Sequence, residues 1–253
     1  MTIGQIIKKI FTKLGLELNL IKYSSDYNLL GFRNFDFDVV IDVGANKGNY
    51  VKKFLEAFPK AEIYAFEPLP DMFSQLKEIK NKNVHVYNLA IADKSGFLPF
   101  YFDVDDPSAS SFLKNTDFSK KMWRRSKLRH KKIKVPIATL DEIMTEKIKP
   151  STKILVKIDV QGYEMEVIAG AKKTLKKSIA CVLEISRAAH YKNQPDFDEI
   201  YQAMKKLGYE YVGNWFQCIF RNGAIAYLDA FFVKKDFLKS VSYHKIEERG
   251  LRL

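Results

Sequence analysis

The stretch Val39-Val-Ile-Asp-Val-Gly-Ala-Asn-Lys-Gly-Asn-Tyr50 constrains this chain more than any other. Four apolar residues among Val39 to Val43 suit a parallel strand covered on both faces, and the residues after it suit a tight turn that opens a helix. Gly44 and Gly48 allow close approach of the backbone to a ligand, and Asn46 tolerates left-handed torsions. The spacing is not that of a dinucleotide fold: Asn46 and Asn49 stand where G-x-G-x-x-G wants its second and third glycines. A Gly-Lys-Ser/Thr phosphate loop is absent too.

Glu62-Ile-Tyr-Ala-Phe-Glu-Pro68 follows as a short apolar run closed by an acid and a proline. An acid at the carboxyl end of the next strand, roughly 20 residues past a glycine turn, is where a ribose diol is usually held. Glu67 fits that role, because an ionised carboxylate accepts from both hydroxyls. A turn suited to a nucleoside, followed by a ribose acid, points to S-adenosylmethionine as cofactor.

The length of 253 residues and 47% hydrophobic content allow one full core in a single domain. Cys181 and Cys218 lie in unrelated apolar runs without metal or redox spacing, so buried free thiols are expected. No signal peptide or apolar run of membrane-spanning length is visible, which predicts a cytoplasmic protein. The net charge of +12 is concentrated: Lys120–Lys134 holds nine Lys/Arg and no acid, leaving +3 for the rest. Such a run suits a solvated loop, an anionic acceptor, an acidic membrane surface or a nucleic-acid backbone. Trp123 alone offers little stacking for bases, so nucleic acid is not the expected partner.

An apolar stripe over Ile3–Leu20, with lysines between, predicts an N-terminal helix within an extension over residues 1–38 that packs on the core. Its basic face also allows peripheral contact at the inner membrane face. From Val39 onward strands and helices alternate, predicting a largely parallel, doubly wound α/β sheet with an antiparallel edge. Expected strands are Val39–Val43, Ile63–Phe66, Val84–Ala92, Ile154–Val160, Cys181–Ile185, Tyr209–Phe216 and Ala224–Val233. One helix is expected near Glu164–Lys177, and an irregular charged insertion over about 114–134.

On such a sheet Asp42, Glu67, Asn88, Asp159 and Glu184 all fall at the carboxyl, ligand-binding edge. Asp159, in Lys-Ile-Asp-Val-Gln-Gly-Tyr-Glu-Met-Glu166, ends the fourth strand beside the expected reacting centre. Glu166 reads as structural, by way of the helix dipole, and Glu164 stays open between structure and function. An acceptor group that must lose a proton on methylation would benefit from a general base at this edge. Asp159 is the first candidate, with His190 and Glu184 as the reserves. No second acid stands at convincing spacing for a metal, so none is expected.

The motifs VIDVGANKGNY, AFEP, NLAIADKSG, SASSFL, TLDE and KIDVQGYEMEVIAGA occur in order from about Val39 to Ile185. In this the chain resembles the FkbM family of S-adenosylmethionine-dependent methyltransferases. The resemblance implies a class I methyltransferase (Rossmann-like) fold and O-methylation of sugars, glycans or polyketides. It implies Asp42, Gly44, Asn46 and Gly48 in the cofactor turn, with Glu67 on the ribose and Asn88 and Asp93 bordering the adenine side. Ser110 and Ser111 would lie near cofactor or acceptor, and Asp159 would face the reacting centre. Many members carry Glu where Gln161 stands, which removes one candidate base here. A sugar or glycan acceptor bearing phosphate, uronate or a lipid diphosphate would suit the basic segment. The competing readings are an RNA methyltransferase and a non-catalytic cofactor-binding partner protein.

Overall fold

The computed structural model describes Lys13 and residues 35–122 and 129–240. The chain divides into two units, Met1–Asp36 and Phe37–Leu253, and the fold that follows is that of the second. The helix expected over Ile3–Leu20 lies outside the described residues apart from Lys13. So do residues 123–128 of the basic run.

Short runs of apolar, β-branched residues make the main sheet. Its strands are β1 (Val39–Val43), β2 (Glu62–Phe66), β3 (Val84–Tyr87), β7 (Ile154–Ile158), β8 (Ala180–Ser186), β9 (Tyr209–Ile219) and β10 (Ile225–Lys234), in the order β3-β2-β1-β7-β8-β10-β9. The first five are parallel, and β10 runs antiparallel to both β8 and β9. The winding reverses between β1 and β7, which opens a crevice beyond their carboxyl ends. This is the mostly parallel α/β sheet with an antiparallel edge that the alternation predicts.

The strands' period of two divides side chains between the faces. Val39, Ile41 and Val43, with Val156, Ile158, Cys181 and Leu183, form one face of the core. They pack with residues of α4 (Leu140–Met144), α5 (Glu164–Gly170), α6 (Lys172–Lys177) and α7 (Phe197–Lys206). Helix α1 (Asn49–Ala57) packs on β1 and β2, and buries Val51 and Phe54. Full burial of a side chain such as Phe54 is worth about 2–3 kcal/mol. Reciprocal capping boxes at Thr139 and Asp196 start α4 and α7, each cap contributing about 1 kcal/mol.

Three elements differ from the sequence expectation. The strand expected over Val84–Ala92 is two, because Asn88 turns inward to bind carbonyls of the neighbouring loop; β4 (Ala90–Ile91) then joins another sheet. That sheet, ordered β4-β6-β5, pairs β5 (Gly96–Asp103) antiparallel with β6 (His130–Ala138). The end of the segment expected to be irregular is therefore strand, with Ile133, Val135 and Ile137 alternating against lysines. The helix expected over Glu164–Lys177 breaks at Ala171. There Gly170 lies so close to Ala92 that a Cβ would sit 1.9 Å from its carbonyl oxygen.

Helix α2 (Pro70–Leu76) follows β2, and a 3-10 turn (Pro107–Ala109) and α3 (Asp117–Met122) lie between β5 and β6. Helix α8 (Lys235–Ser240) follows β10. No helix among the described residues is long and apolar enough to cross a membrane.

Candidate active site

A cavity of about 280 Å³ lies at the crevice between β1 and β7. Its floor is the carboxyl edge of the main sheet, with Gly44, Glu67, Asp159 and Glu184 following β1, β2, β7 or lying on β8. The second sheet supplies a wall through Phe100, and the segment Asp106–Ser110 closes one side.

The turn after β1 is held from β2. The N–H groups of Gly44 and Ala45 both donate to the Phe66 carbonyl at 3.0 Å, and Asn46 N–H donates to Glu67 Oε2 at 2.8 Å. Asn46 adopts the left-handed backbone, at φ 50°. The other Glu67 oxygen accepts from Leu69 N–H at 2.9 Å. Burial pushes the Glu67 carboxyl up to about 7, although these N–H groups oppose the shift. Each oxygen keeps a second acceptor site, and Glu67 lines the cavity.

The turn's glycines answer mainly to packing. A Cβ on Gly44 would lie 1.9 Å from the Asp159 carbonyl oxygen, and one on Gly48 would meet Ile79 and Leu76 at 2.5 and 2.8 Å. Gly44 still borders the cavity, whereas Gly48 is not part of its lining.

A polar stripe crosses the sheet beneath the cavity. Register places Asp42 opposite Lys157, and Glu184 opposite Asp229. Lys157 is 2% exposed; its Nζ donates to Asp159 Oδ2 at 3.0 Å, lies 3.7 Å from Asp42 Oδ1, and sits 4.5 Å from the Tyr50 ring centroid. Burial alone would lower its pKa, but Asp159 and Asp42 hold it above the ordinary lysine value. Burial lifts Asp42 to about 6 against the pull of Lys157. Tyr50 O–H donates to Asp229 at 3.1 Å.

Gln161 joins the two acids at the cavity. Its amide nitrogen donates to Asp159 Oδ1 at 3.0 Å and Glu184 Oε2 at 2.5 Å, and its oxygen accepts from Tyr191 O–H at 3.0 Å. Burial raises Asp159, yet Lys157 and Gln161 outweigh it and hold the carboxyl below its ordinary value. Burial and the neighbouring Asp159 push Glu184 well above its own. The two members of the pair are therefore pushed in opposite directions, Asp159 down and Glu184 up.

The remaining candidates divide. His190 and Ser110 line the cavity; burial lowers the His190 pKa, leaving a neutral imidazole at pH 7. Asp42 lies behind the cavity at 0% exposure. Asn88 donates to the carbonyls of Glu67 and Pro68 at 2.9 and 3.1 Å, and Ser111 to that of Gln161 at 2.7 Å. Both orient the loops that carry cavity residues. Asp93 faces a separate depression with Asp141 and Glu142, because β4 leads the chain away to the second sheet. Glu164 is buried, accepts from Gly162 N–H at 3.0 Å, and rises to about 7 through burial.

Lys157, Gln161, Tyr191 and Asp229 are the residues that sequence reasoning passed over as site residues. Lys157 left one signal, a lysine inside the otherwise apolar Ile154–Ile158. Tyr191 and Asp229 left none, since only the fold brings them there.

The family described as Methyltransferase FkbM domain matches residues 42–211. The chain is 29% identical over 162 residues to "2-O-methyltransferase NoeI" of Sinorhizobium fredii, covering 62% of this chain and 66% of that protein. It is 28% identical over 151 residues to "Hexuronic acid methyltransferase AglP" of Haloferax volcanii, covering 58% and 56%. These matches span less than two thirds of each relative's own length. Among solved structures, a 1,6-didemethyltoxoflavin-N1-methyltransferase from Burkholderia thailandensis aligns over 91% of this chain and 88% of its own, at TM-score 0.44 and 9% identity. With its family match covering residues 42–211, this chain belongs to the FkbM methyltransferase family.

Proposed function

We propose that the chain is an S-adenosylmethionine-dependent O-methyltransferase acting on a hydroxyl group of a sugar or glycan. The observation that carries this is the sharing of one cavity by Glu67, at the end of β2, and the Asp159–Glu184 pair beyond β7 and on β8. The activities for which the two relatives are named, 2-O-methylation and hexuronic acid methylation, support a sugar-type acceptor.

The residues fit the cofactor. Glu67 keeps acceptor sites toward the cavity for a ribose diol, while Phe66, Leu69 and Ile91 offer apolar surface to a planar base. When bound, S-adenosylmethionine supplies an electrophilic methyl group for in-line attack by an acceptor oxygen. Asp159, kept ionised by Lys157, takes the hydroxyl proton. Gln161 fixes the carboxylate's orientation, and the upward shift of Glu184 works against a second negative charge beside it. The buried walls exclude water and position the acceptor, which is most of what a transfer from so good a leaving group requires. His190, neutral and at the same cavity, is the reserve base.

Calorimetric titration with S-adenosylmethionine and S-adenosylhomocysteine tests the cofactor, followed by labelled methyl transfer to glycan hydroxyls. Glu67→Gln is the control, since Glu67→Ala also removes two anchors of the turn. Micromolar-range binding, weakened in the control, supports the reading. A folded protein that binds neither compound, with or without acceptors, sinks it.

A further inference from the structure

Beyond β7 the chain passes through two consecutive left-handed residues, Gln161 at φ 57° and Gly162 at φ 93°. Glycine takes that conformation freely, but glutamine adopts it at a cost, so contacts elsewhere must hold it there. Its backbone carbonyl accepts from Ser111 Oγ at 2.7 Å. The Tyr191 ring lies against the same turn, 3.2 Å from where a Gly162 Cβ would stand. Tyr191 is 4% exposed, and its O–H reaches two acceptors at 3.0 Å, the Gln161 amide oxygen and the Ala109 carbonyl. Burial raises the phenol's pKa, with Glu184 and Asp159 adding to the shift, so the O–H keeps its hydrogen.

A side-chain amide has nearly the same shape either way round, and its hydrogen-bond partners decide which end faces where. At one end Asp159 Oδ1, at 3.0 Å, and Glu184 Oε2, at 2.5 Å, both accept from the amide nitrogen. At the other end the phenol donates to the amide oxygen. Turned over, the amide would set its carbonyl against both carboxyls and strip each of a donor. The Tyr191 hydrogen favours the first arrangement, since it is offered at the end away from the acids.

We propose that Tyr191 is a positioning residue of this site: its O–H fixes the Gln161 amide with the nitrogen toward Asp159 and Glu184. The amide then takes one acceptor site on Asp159 Oδ1, as Lys157 does on Oδ2, and leaves the carboxylate's remaining sites to meet an acceptor hydroxyl. For its effect on turnover this rests on the methyltransferase reading; for its effect on the acids it does not. The same O–H reaches the Ala109 carbonyl, in the segment Asp106–Ser110 that closes the cavity. A purely structural role for Tyr191 would run through that contact instead of through Gln161.

The test compares the full chain with Tyr191→Phe, Gln161→Met and the double variant. Carboxyl ¹³C titration follows Asp159 and Glu184 as a coupled pair, and labelled methyl transfer to glycan hydroxyls gives kcat and KM. The groups facing the pair are unchanged throughout: Lys157 of β7, Asp42 of β1, Glu67 beyond β2, Tyr50 of α1, Glu164 of α5, Asp229 and Tyr227 of β10, with Asp106 and His190 at the cavity. Tyr191→Phe should raise the pair's lower midpoint by about one pH unit, the effect of one hydrogen bond to a charged group. It should lower kcat about tenfold, with KM for S-adenosylmethionine little changed. In the Gln161→Met background the same substitution should change neither midpoint nor kcat. Equal effects in both backgrounds, or an unmoved midpoint in Tyr191→Phe, overturn the inference. If Tyr191→Phe does not fold, 3-fluorotyrosine at position 191, a stronger donor of nearly the same shape, should lower the midpoint; an unmoved midpoint there overturns the inference too. Midpoints that shift as expected in a protein that neither binds S-adenosylmethionine nor transfers methyl groups uphold the positioning role and overturn the methyltransferase reading.

Discussion

Lys157 holds its ammonium 3.0 Å from the Asp159 carboxylate, two residues along the chain and just past the end of β7, with 2% of its side chain exposed. A lysine so buried persists because Asp159 and Asp42 both face it. Lys157→Met leaves those acids without their counter-charge, a change that typically costs about 3–5 kcal/mol. Chemical denaturation should show this loss, and Lys157→Met combined with Asp42→Asn should be more stable than Lys157→Met alone. Purely additive losses would show that the two residues do not interact.

Asp159→Asn keeps the shape of the cavity and removes its ionised acceptor. Cofactor affinity should stay within a few fold, while turnover on a hydroxyl acceptor falls by about 10²–10⁴. Full turnover in this variant would remove Asp159 as the base and turn attention to His190.

Glu67 supports the turn and faces the cavity, so its two substitutions should separate. Glu67→Ala leaves the N–H groups of Asn46 and Leu69 without their acceptor, costing about 1–3 kcal/mol of stability as well as cofactor affinity. Glu67→Gln keeps one carbonyl acceptor and should retain more of both. Parallel calorimetry and thermal unfolding distinguish them, and equal losses in both variants would contradict the split.

Gly44→Ala puts a methyl group 1.9 Å from the Asp159 carbonyl oxygen at a backbone φ of 84°. It should lower stability by more than about 3 kcal/mol, through clash and strained torsions together. Wild-type unfolding in urea would show that the contact can relax.

Among the carboxyls that burial raises, Asp42 goes to about 6, Glu67 to about 7 and Glu164 to about 7. A raised folded-state pKa means the native state binds protons more tightly than the unfolded chain. The stability it contributes is fully present below the unfolded pKa, near 4, and is lost as pH rises through the folded value. Melting temperature should therefore rise by several degrees between pH 8 and pH 5. Below about pH 4 the opposite response of Asp159, whose pKa is lowered, sets in. A melting temperature that falls steadily from pH 8 to pH 5 would show that these acids are not buried as described.

Much of the fold was legible in the sequence because its signals are local. Val39–Val43 reads as a buried strand from its apolar run, and Asn46 as a left-handed turn residue from its side chain. The error at Val84–Ala92 has a non-local cause. Asn88 breaks the strand to hold the loop of Glu67 and Pro68, about 20 residues earlier in the chain. The alternation of Ile133, Val135 and Ile137 was readable but hidden by the surrounding lysines.

The sequence by itself determined the strand–turn–helix order, the acids at the strand ends and the family, because each is written in short consecutive patterns. Tertiary structure alone decided in which direction the acids are shifted and which glycines answer to packing. Asp159 is held down because Lys157 lies within reach, and Glu184 is pushed up because the fold buries it against Asp159. Gly44 is required because β7 passes directly against the turn. A pKa and a steric limit depend on distances between segments far apart in the chain, and those distances exist only once the sheet has formed.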